Sequence, residues 1–130
     1  MPLTRLSDCE LDVIKVLWDQ DFPVSQAQIK EELEKRKGRA YGRTTIATWL
    51  TRLGKKKLLT VTTEDGLLHY KAAISRSDYE KMEVRLLADR LYRGSVPGIV
   101  AAMAEKEILT KDEEVELRGI LDRWNRTLSG

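Results

Sequence analysis

The residues best suited to bind another molecule lie in one segment, YGRTTIATWLTRLGKKKLL, from Tyr41 to Leu59. A helix over about Arg43 to Lys56 places four apolar residues on one stripe, at the i, i+3, i+4, i+7 spacing. These residues are Ile46, Trp49, Leu50 and Leu53. The opposite face combines short side chains with two cations, Thr44, Ala47, Thr48, Thr51, Arg52 and Lys55. Threonine is a weak helix former, so we expect this face to serve contact with a partner rather than helix stability.

Charge is concentrated in the same part of the chain. Residues 35–57 contain nine of the 23 lysines and arginines and no acid, although the formal net charge of the 130-residue chain is only +2. The remaining residues therefore hold 14 basic and 21 acidic groups, a net of 14 − 21 = −7. A local basic block in an otherwise acidic protein predicts a polyanionic partner, whereas a merely solvated basic face is the alternative interpretation.

Metal binding and nucleophilic catalysis find little support in the composition. The single cysteine, Cys9, and the single histidine, His69, cannot form a zinc cluster, and no cofactor is predicted. We expect Cys9 to be a packed thiol and His69 a surface imidazole, without a neighbour that activates either group. No apolar run is long enough for a membrane helix and no signal peptide is recognised, so the predicted location is the cytoplasm.

The elements that position the threonine face follow from capping and turn signals. Capping boxes are predicted at four places, Ser7–Glu10, Ser25–Gln28, Ser77–Glu80 and Thr110–Glu113. We predict helices over Asp8–Asp19, Gln26–Arg36, Arg43–Lys56, Tyr79–Tyr92, Val96–Ala104 and Asp112–Leu128. The sequence EDG between two β-branched or aromatic runs predicts a β-hairpin after the third helix.

Helix, helix, basic loop, helix and hairpin is the order of a winged helix-turn-helix, in which the third helix enters the major groove of DNA. The fold class is therefore mostly α with a small β-hairpin, with a DNA-binding domain over residues 1–74 and a helical dimerisation domain over residues 75–130. The predicted DNA-binding residues are Arg39, Arg43, Thr44, Thr45, Ala47, Thr48, Thr51, Arg52, Lys55 and Lys56. Short side chains allow close approach to base edges, and the cations can hold phosphates.

The C-terminal helices contain more apolar residues than three short helices can bury among themselves. We therefore predict that they pack across a two-fold axis as a homodimer, rather than folding back on the winged helix. The predicted dimerisation residues are Met82, Leu86, Leu91, Ile99, Met103, Ile120, Leu121 and Trp124.

Four motifs resemble those of the penicillinase, methicillin-resistance and copper-responsive repressors of bacteria: LSDCELDVIKVLW, TTIATWLTRLGKKKLL, YKAAISRSDY and RLYRGSVPGIV. The resemblance runs from about Leu6 to Trp124. It implies a homodimer that represses transcription by occupying inverted-repeat operators in double-stranded DNA, with the wing over the adjacent backbone. It also implies that the third helix reads DNA through Thr44, Thr45, Ala47, Thr48, Thr51 and Arg52.

The same resemblance leaves several routes of release from DNA. Penicillinase-type members are cut by a sensor protease at an Asn-Phe bond, and the aligned pair here is Ala102 and Met103. A small ligand in the helical interface and a redox signal at Cys9 are the alternatives. Copper-responsive members end in cysteine pairs, whereas this chain ends DRWNRTLSG.

Two further hypotheses compete with a repressor. A winged-helix module within a larger protein complex would use the basic helix against an acidic protein surface, without preference for a DNA sequence or strong dependence on salt. An enzyme is the weaker alternative, because the acids and hydroxyls of the chain fall at helix caps and exposed faces.

Overall fold

A computed structural model describes the backbone of residues 5–129 and the side chains of residues 5–127. The elements follow in the order α1 (Asp8–Trp18), β1 (Val24–Ser25), α2 (Gln26–Lys37), α3 (Arg43–Lys55), β2 (Leu59–Glu64), β3 (Leu67–Ala72), α4 (Arg76–Leu91), α5 (Val96–Glu105) and α6 (Lys111–Ser129). The prediction of a mostly α-helical fold with a small hairpin is confirmed. Within residues 5–129, no helix is both long and apolar enough to cross a membrane.

Helices α1 and α2 begin at the predicted capping boxes. The Ser7 hydroxyl accepts from the Glu10 backbone N–H while the Glu10 carboxylate accepts from the Ser7 N–H, and Ser25 and Gln28 repeat the arrangement. Helix α2 ends at Gly38, whose φ of 66° is a left-handed conformation that glycine adopts more readily than residues with a Cβ. The apolar faces of the first three helices form one core, Val13, Ile14, Val16, Leu17, Ile29, Leu33, Ile46, Leu50 and Leu53.

The predicted hairpin is present, and a third strand extends it. Strands β2 and β3 pair antiparallel around Asp65 and Gly66, both of which have positive φ, as the tight turn requires. Val24 of β1 pairs with Tyr70, so the order of the antiparallel sheet is β1-β3-β2. The sequence does not predict β1, because two residues are too few to show an alternating pattern.

Helix α4 begins earlier than predicted. Its first turn is capped by Ser75, whose hydroxyl accepts from the Asp78 backbone N–H at 3.0 Å, so the capping box predicted at Ser77–Glu80 is wrong. The earlier start helps to place Tyr79 in the core, where its hydroxyl accepts from the Leu6 N–H at 3.2 Å and donates to Glu83. Burial and the Glu83 contact raise the pKa of Tyr79 to about 12, so the phenol stays a donor.

The chain forms two compact units, one ending at Glu83 and the other beginning at Val84. We call them the winged-helix unit and the helical unit. The first turns of α4 thus belong to the winged-helix unit, whereas the sequence places the division between Ile74 and Ser75. The assignment of separate DNA-binding and dimerisation domains stays a prediction.

The helical unit has its own helix signals. The Ser95 hydroxyl caps α5 by accepting from the Gly98 N–H at 2.9 Å, with Pro97 in the first turn, as expected. Thr110 and Glu113 form the reciprocal capping box of α6, at 2.9 and 3.1 Å. Among the unit's residues whose side chains are described, three apolar ones are buried, Ala88, Ile99 and Ala102.

Candidate nucleic-acid interface

The N-terminus of α3 is fixed by contacts from α2. Gly42 occupies the N-cap and supplies no side-chain bond, so other groups hold the entry to the helix. The Gln26 amide donates to the Arg43 carbonyl at 2.9 Å. The Glu34 carboxylate accepts from the Tyr41 backbone N–H at 2.8 Å. These two residues of α2 therefore position α3, a role that the sequence analysis missed.

Glu34 is held as an acceptor by its neighbours. The Tyr41 N–H and the Lys30 ammonium, which lies 2.9 Å from Glu34 Oε2, lower the pKa of this carboxyl group. The Tyr41 ring then meets Trp49 edge to face, with centroids 5.6 Å apart. The spacing of four residues between Lys30 and Glu34 is visible in the sequence as a helical ion pair. The contact with Tyr41 is not visible in this way, because it depends on the path of the loop between α2 and α3.

Helix α3 divides as its sequence predicts. Ile46, Leu50 and Leu53 are buried in the core, and Trp49 is half-buried against it. The opposite face is exposed at Thr44, Thr45, Thr48, Thr51, Arg52 and Lys55, while Ala47 is half-buried. The structure therefore places these seven predicted DNA-binding residues on one accessible helix, which leaves DNA contact itself as a prediction.

Two hydroxyl groups of this face bond to their own helix. Thr48 Oγ1 donates to the Thr44 carbonyl and Thr51 Oγ1 donates to the Ala47 carbonyl, both at 2.9 Å. Threonine commonly bonds the carbonyl four residues earlier in a helix. The outward contribution of Thr48 and Thr51 is therefore a methyl group and an acceptor lone pair.

The basic block is smaller than its sequence indicates, because acids of the winged-helix unit neutralise part of it. Arg36 pairs with Asp19 at 2.7 Å and with Glu32 at 3.1 Å, and Lys37 pairs with Asp12 at 3.2 Å. Within the described residues, six cations of the block make no ion pair, Lys35, Arg39, Arg43, Arg52, Lys55 and Lys57. Five of these six lie in or next to α3, so the positive charge left for a polyanion is focused there.

Lys56 differs from the other predicted DNA-binding cations. Its Nζ lies 2.8 Å from Oε1 of Glu10, whose side chain is only 3% exposed. Burial raises the pKa of Glu10, but hydrogen bonds from Lys56 and Ser7 outweigh it and leave the pKa below its ordinary value. Lys56 thus ties the end of α3 to α1, and a phosphate would compete with Glu10 for it.

Arg39, in the loop before α3, and the wing, which is the hairpin of β2 and β3 after it, are the segments next to α3 in the chain. The Arg39 guanidinium lies over the Tyr41 ring, 5.1 Å from its centroid, and stays exposed in the loop before the helix. The wing offers little positive charge, because its tip contains Glu64 and Asp65, and Lys71 Nζ donates to the Asp21 carbonyl. Attraction of phosphate would therefore come from α3 and its flanking residues.

Comparison with known proteins agrees with this geometry. A profile of the penicillinase repressor family matches residues 6–123. The penicillinase repressor of Bacillus licheniformis is 31% identical over 120 residues, which cover 92% of this chain and 91% of that protein. The methicillin resistance regulatory protein MecI of Staphylococcus aureus strain N315 is 29% identical over 119 residues, covering 92% of this chain and 94% of MecI.

The chain belongs to the penicillinase repressor family. The solution structure of the DNA binding domain of the repressor BlaI matches 59% of this chain and 90% of that domain, at 34% identity and a TM-score of 0.51. The structure of hsRosR-S4 in a complex covers 98% of this chain at 16% identity and a TM-score of 0.58, a likeness of fold alone. The predictions of a winged-helix fold and of a DNA-binding transcriptional repressor that is not an enzyme are confirmed at the level of the family.

The dimerisation residues predicted for this penicillinase repressor family member fall into three groups. Met82 packs against the core of the winged-helix unit and Ile99 is buried in the helical unit, so both are used within one chain. Leu86 and Met103 are half-buried, and the others are exposed, Leu91, Ile120, Leu121 and Trp124. The exposed group is available to a second subunit, and dimerisation itself stays a prediction.

The residues predicted to take part in release of the repressor differ in how exposed they are. Ala102 is 8% exposed and Met103 is half-buried, and both lie inside α5. A protease could reach the bond between them only after α5 unwinds. Cys9 is exposed in the first turn of α1, so the expectation of a packed thiol is wrong: the inward positions of that helix are taken by Val13, Ile14, Val16 and Leu17.

Proposed function

We propose that this chain is a homodimeric, sequence-specific repressor that acts in the cytoplasm on an inverted-repeat operator in double-stranded DNA. The observation that supports it best is the exposed face of α3, where short side chains and Arg52 lie above the buried residues Ile46, Leu50 and Leu53. A helix with this division can rest its apolar side on the core and enter the major groove with the other. The relatives named as repressors and the DNA binding domain of BlaI support the same function.

In this proposal the residues of the interface have different tasks. Arg52 bonds a base edge or a phosphate from the middle of the exposed face. Arg39, Arg43 and Lys55 hold phosphates at the two ends of α3, because they are exposed and make no ion pair within the described residues. Thr44, Thr45, Ala47, Thr48 and Thr51 face the bases. Lys56 supports the helix through Glu10 instead of contacting DNA.

A second copy of the chain is the proposed partner of the helical unit. Leu121 and Trp124, both on α6, are 42% and 61% exposed. Exposure of such large apolar side chains to water is unfavourable. Packing them across a two-fold axis would also place two α3 helices on half-sites separated by whole helical turns. The two contacts with DNA then reinforce each other.

The test is selection of DNA by the full chain, followed by measurement of affinity. We expect duplexes enriched from a random pool to contain an inverted repeat, and binding to weaken steeply with salt because phosphate contacts release counterions. Binding that lacks both sequence preference and salt dependence would contradict the proposal. It would favour the alternative of a winged-helix module that contacts an acidic protein.

For release, we propose that disruption of α5 ends repression, since cleavage there would remove α6 from the DNA-binding unit. A sensor protease acting between Ala102 and Met103 requires that α5 open first, because Ala102 is buried. The measurement is the mass of the protein in cells during induction of its regulon. A fragment ending near Ala102 would support proteolysis, whereas intact protein leaving the operator would exclude it and direct attention to a ligand or to Cys9.

A further inference from the structure

The two threonines in the middle of α3 have their hydroxyl protons already bonded. Thr48 Oγ1 donates to the Thr44 carbonyl and Thr51 Oγ1 to the Ala47 carbonyl, each at 2.9 Å, while both residues remain exposed. From these contacts we infer that Thr48 and Thr51 recognise thymine through their methyl groups and not through hydroxyl donation. The inference rests on the proposed function, because it assumes that α3 lies in the major groove.

The chemistry of the base edges supports thymine as the partner. In the major groove thymine presents a C5-methyl group, whereas guanine presents two acceptors that call for a donor. Adenine N6 and cytosine N4 could still donate to the free lone pair of Oγ1. The valine variants described below remove that lone pair, so they separate this contact from methyl packing. A threonine whose hydroxyl proton is bonded to the helix offers no donor to guanine unless it breaks that bond. Its methyl group can still pack against the thymine methyl and remove apolar surface from water.

Thr48 and Thr51 are close enough together on α3 to face neighbouring base pairs. Thr48 and Thr51 are three residues apart, a rise of about 4.5 Å along the helix. Stacked base pairs are about 3.4 Å apart. Ala47 lies beside them and adds a third methyl group to the same surface. We therefore expect each half-site to contain thymines at adjacent or next-adjacent positions opposite this surface.

Thr44 supplies a matched contrast on the same face. It is exposed like the other two, but within the described residues its hydroxyl group makes no hydrogen bond. Its proton is therefore available to a base or a phosphate. Replacing threonine by valine, which keeps a methyl group, and by serine, which keeps the hydroxyl, should give opposite results at Thr44 and at Thr48 or Thr51.

The first experiment removes the methyl group from the DNA. The full chain is used to select a duplex from a random pool, and deoxyuridine then replaces thymidine at one half-site position at a time. This change removes only the C5-methyl group and leaves base pairing intact. We expect affinity to fall about fourfold at each position that faces Thr48 or Thr51 and to stay unchanged elsewhere in the half-site.

The second experiment removes the methyl group from the protein. Thr48→Ser and Thr51→Ser should each weaken binding about fourfold, whereas Thr48→Val and Thr51→Val should stay within about twofold of the wild type. Thr48→Ser should cause no further loss on the duplex that carries deoxyuridine at its partner position, because the contact is already absent. For Thr44 we expect the reverse order, with Thr44→Val the weaker binder. All six variants change exposed residues, and thermal unfolding checks that each is folded.

The outcomes separate the inference from the proposed function. Failure to enrich any duplex would contradict the repressor function itself. An enriched inverted repeat whose affinity is insensitive to deoxyuridine, or one that tolerates Thr48→Ser and Thr51→Ser but not the valine variants, would overturn the inference while the repressor function stands.

Discussion

The two units of this protein differ in how completely they bury their apolar residues. The winged-helix unit has a continuous core in which Ile14, Ile29, Ile46 and Leu53 are fully buried. The helical unit leaves more large apolar groups in water: among the described residues eight are exposed there, including Leu91 at 71% and Trp124 at 61%, against four in the winged-helix unit, of which Phe22 is 76% exposed. A unit of the second kind gains stability when a partner covers it. Under the proposed homodimer, this difference means that the winged-helix unit folds through its own contacts, whereas the helical unit depends on association.

The largest effect that we expect comes from a charge placed on the exposed face of α6. Leu121→Asp should make the protein monomeric, since an unpaired carboxylate in an apolar interface is strongly unfavourable. Affinity for a complete operator should then fall by about 100-fold or more, because the two half-sites are no longer bound together. Analytical ultracentrifugation and DNA titration measure the two effects.

A single half-site is the control for this variant. Leu121→Asp should bind an isolated half-site as well as the wild type does, because α3 is unchanged. Asp122→Asn changes a neighbouring exposed charge and should preserve the dimer. Leu121→Asp protein that remains dimeric would contradict the proposal that the helical unit associates through this face of α6.

The second effect concerns the ion pair between α1 and α3. Lys56→Met leaves the carboxylate of Glu10 in the core, where Oε2 already lacks a hydrogen-bond partner among the described residues, and should destabilise the protein by about 2–3 kcal/mol at pH 7. Lys55→Met is the matched control, because Lys55 is exposed and makes no ion pair within the described residues; its stability should not change. Urea unfolding measures both.

The pH dependence of this pair has a definite sign. The pKa of Glu10 lies below its ordinary value of 4.5, so the carboxylate stabilises the fold fully above pH 4.5. That contribution is lost as the pH falls through the lower pKa of the folded state. In Lys56→Met, burial should raise the pKa of Glu10, so the loss of stability relative to wild type should shrink as the pH falls. An equal loss at pH 4 and pH 7 would show that the pair is not responsible.

Sequence periodicity predicts most of the winged-helix unit, though neither β1 nor the start of α4, and it predicts only part of the interface. The stripe of α3, its exposed face and the Asp-Gly turn all follow from local patterns, and each is present in the structure. The role of Lys56 could not be predicted, because its partner Glu10 lies 46 residues away and looks like an ordinary capping residue. The start of α4 was missed for the same reason, since two serines can cap and tertiary packing of Tyr79 favours one of them.

The third effect is on DNA binding by the exposed face of α3. Arg52→Ala should weaken operator binding by about 1–3 kcal/mol if Arg52 contacts a base, and the loss should disappear on nonspecific DNA. A contact with phosphate would instead weaken both and make the salt dependence shallower. Arg118→Ala removes an exposed arginine of the helical unit and should leave affinity unchanged. Unchanged affinity in Arg52→Ala would remove the middle of α3 from the interface.

The smallest effect that we expect is the gain in stability when backbone strain is relieved, and it can be measured in each of the two units. Lys57, after α3, and Glu107, after α5, have φ of 62° and 54°, a conformation that is unfavourable for residues with a Cβ. Lys57→Gly should stabilise the protein by about 0.5–1 kcal/mol, because relief of this strain exceeds the greater freedom of glycine in the unfolded chain. Lys57→Ala removes the same charge without relieving the strain, so the difference between the two variants isolates the backbone effect.

If the helical unit depends on association, the gain in stability from Glu107→Gly should vary with protein concentration in thermal unfolding, whereas the gain from Lys57→Gly should not. Equal behaviour of the two glycine variants would mean that the two units are stabilised in the same way.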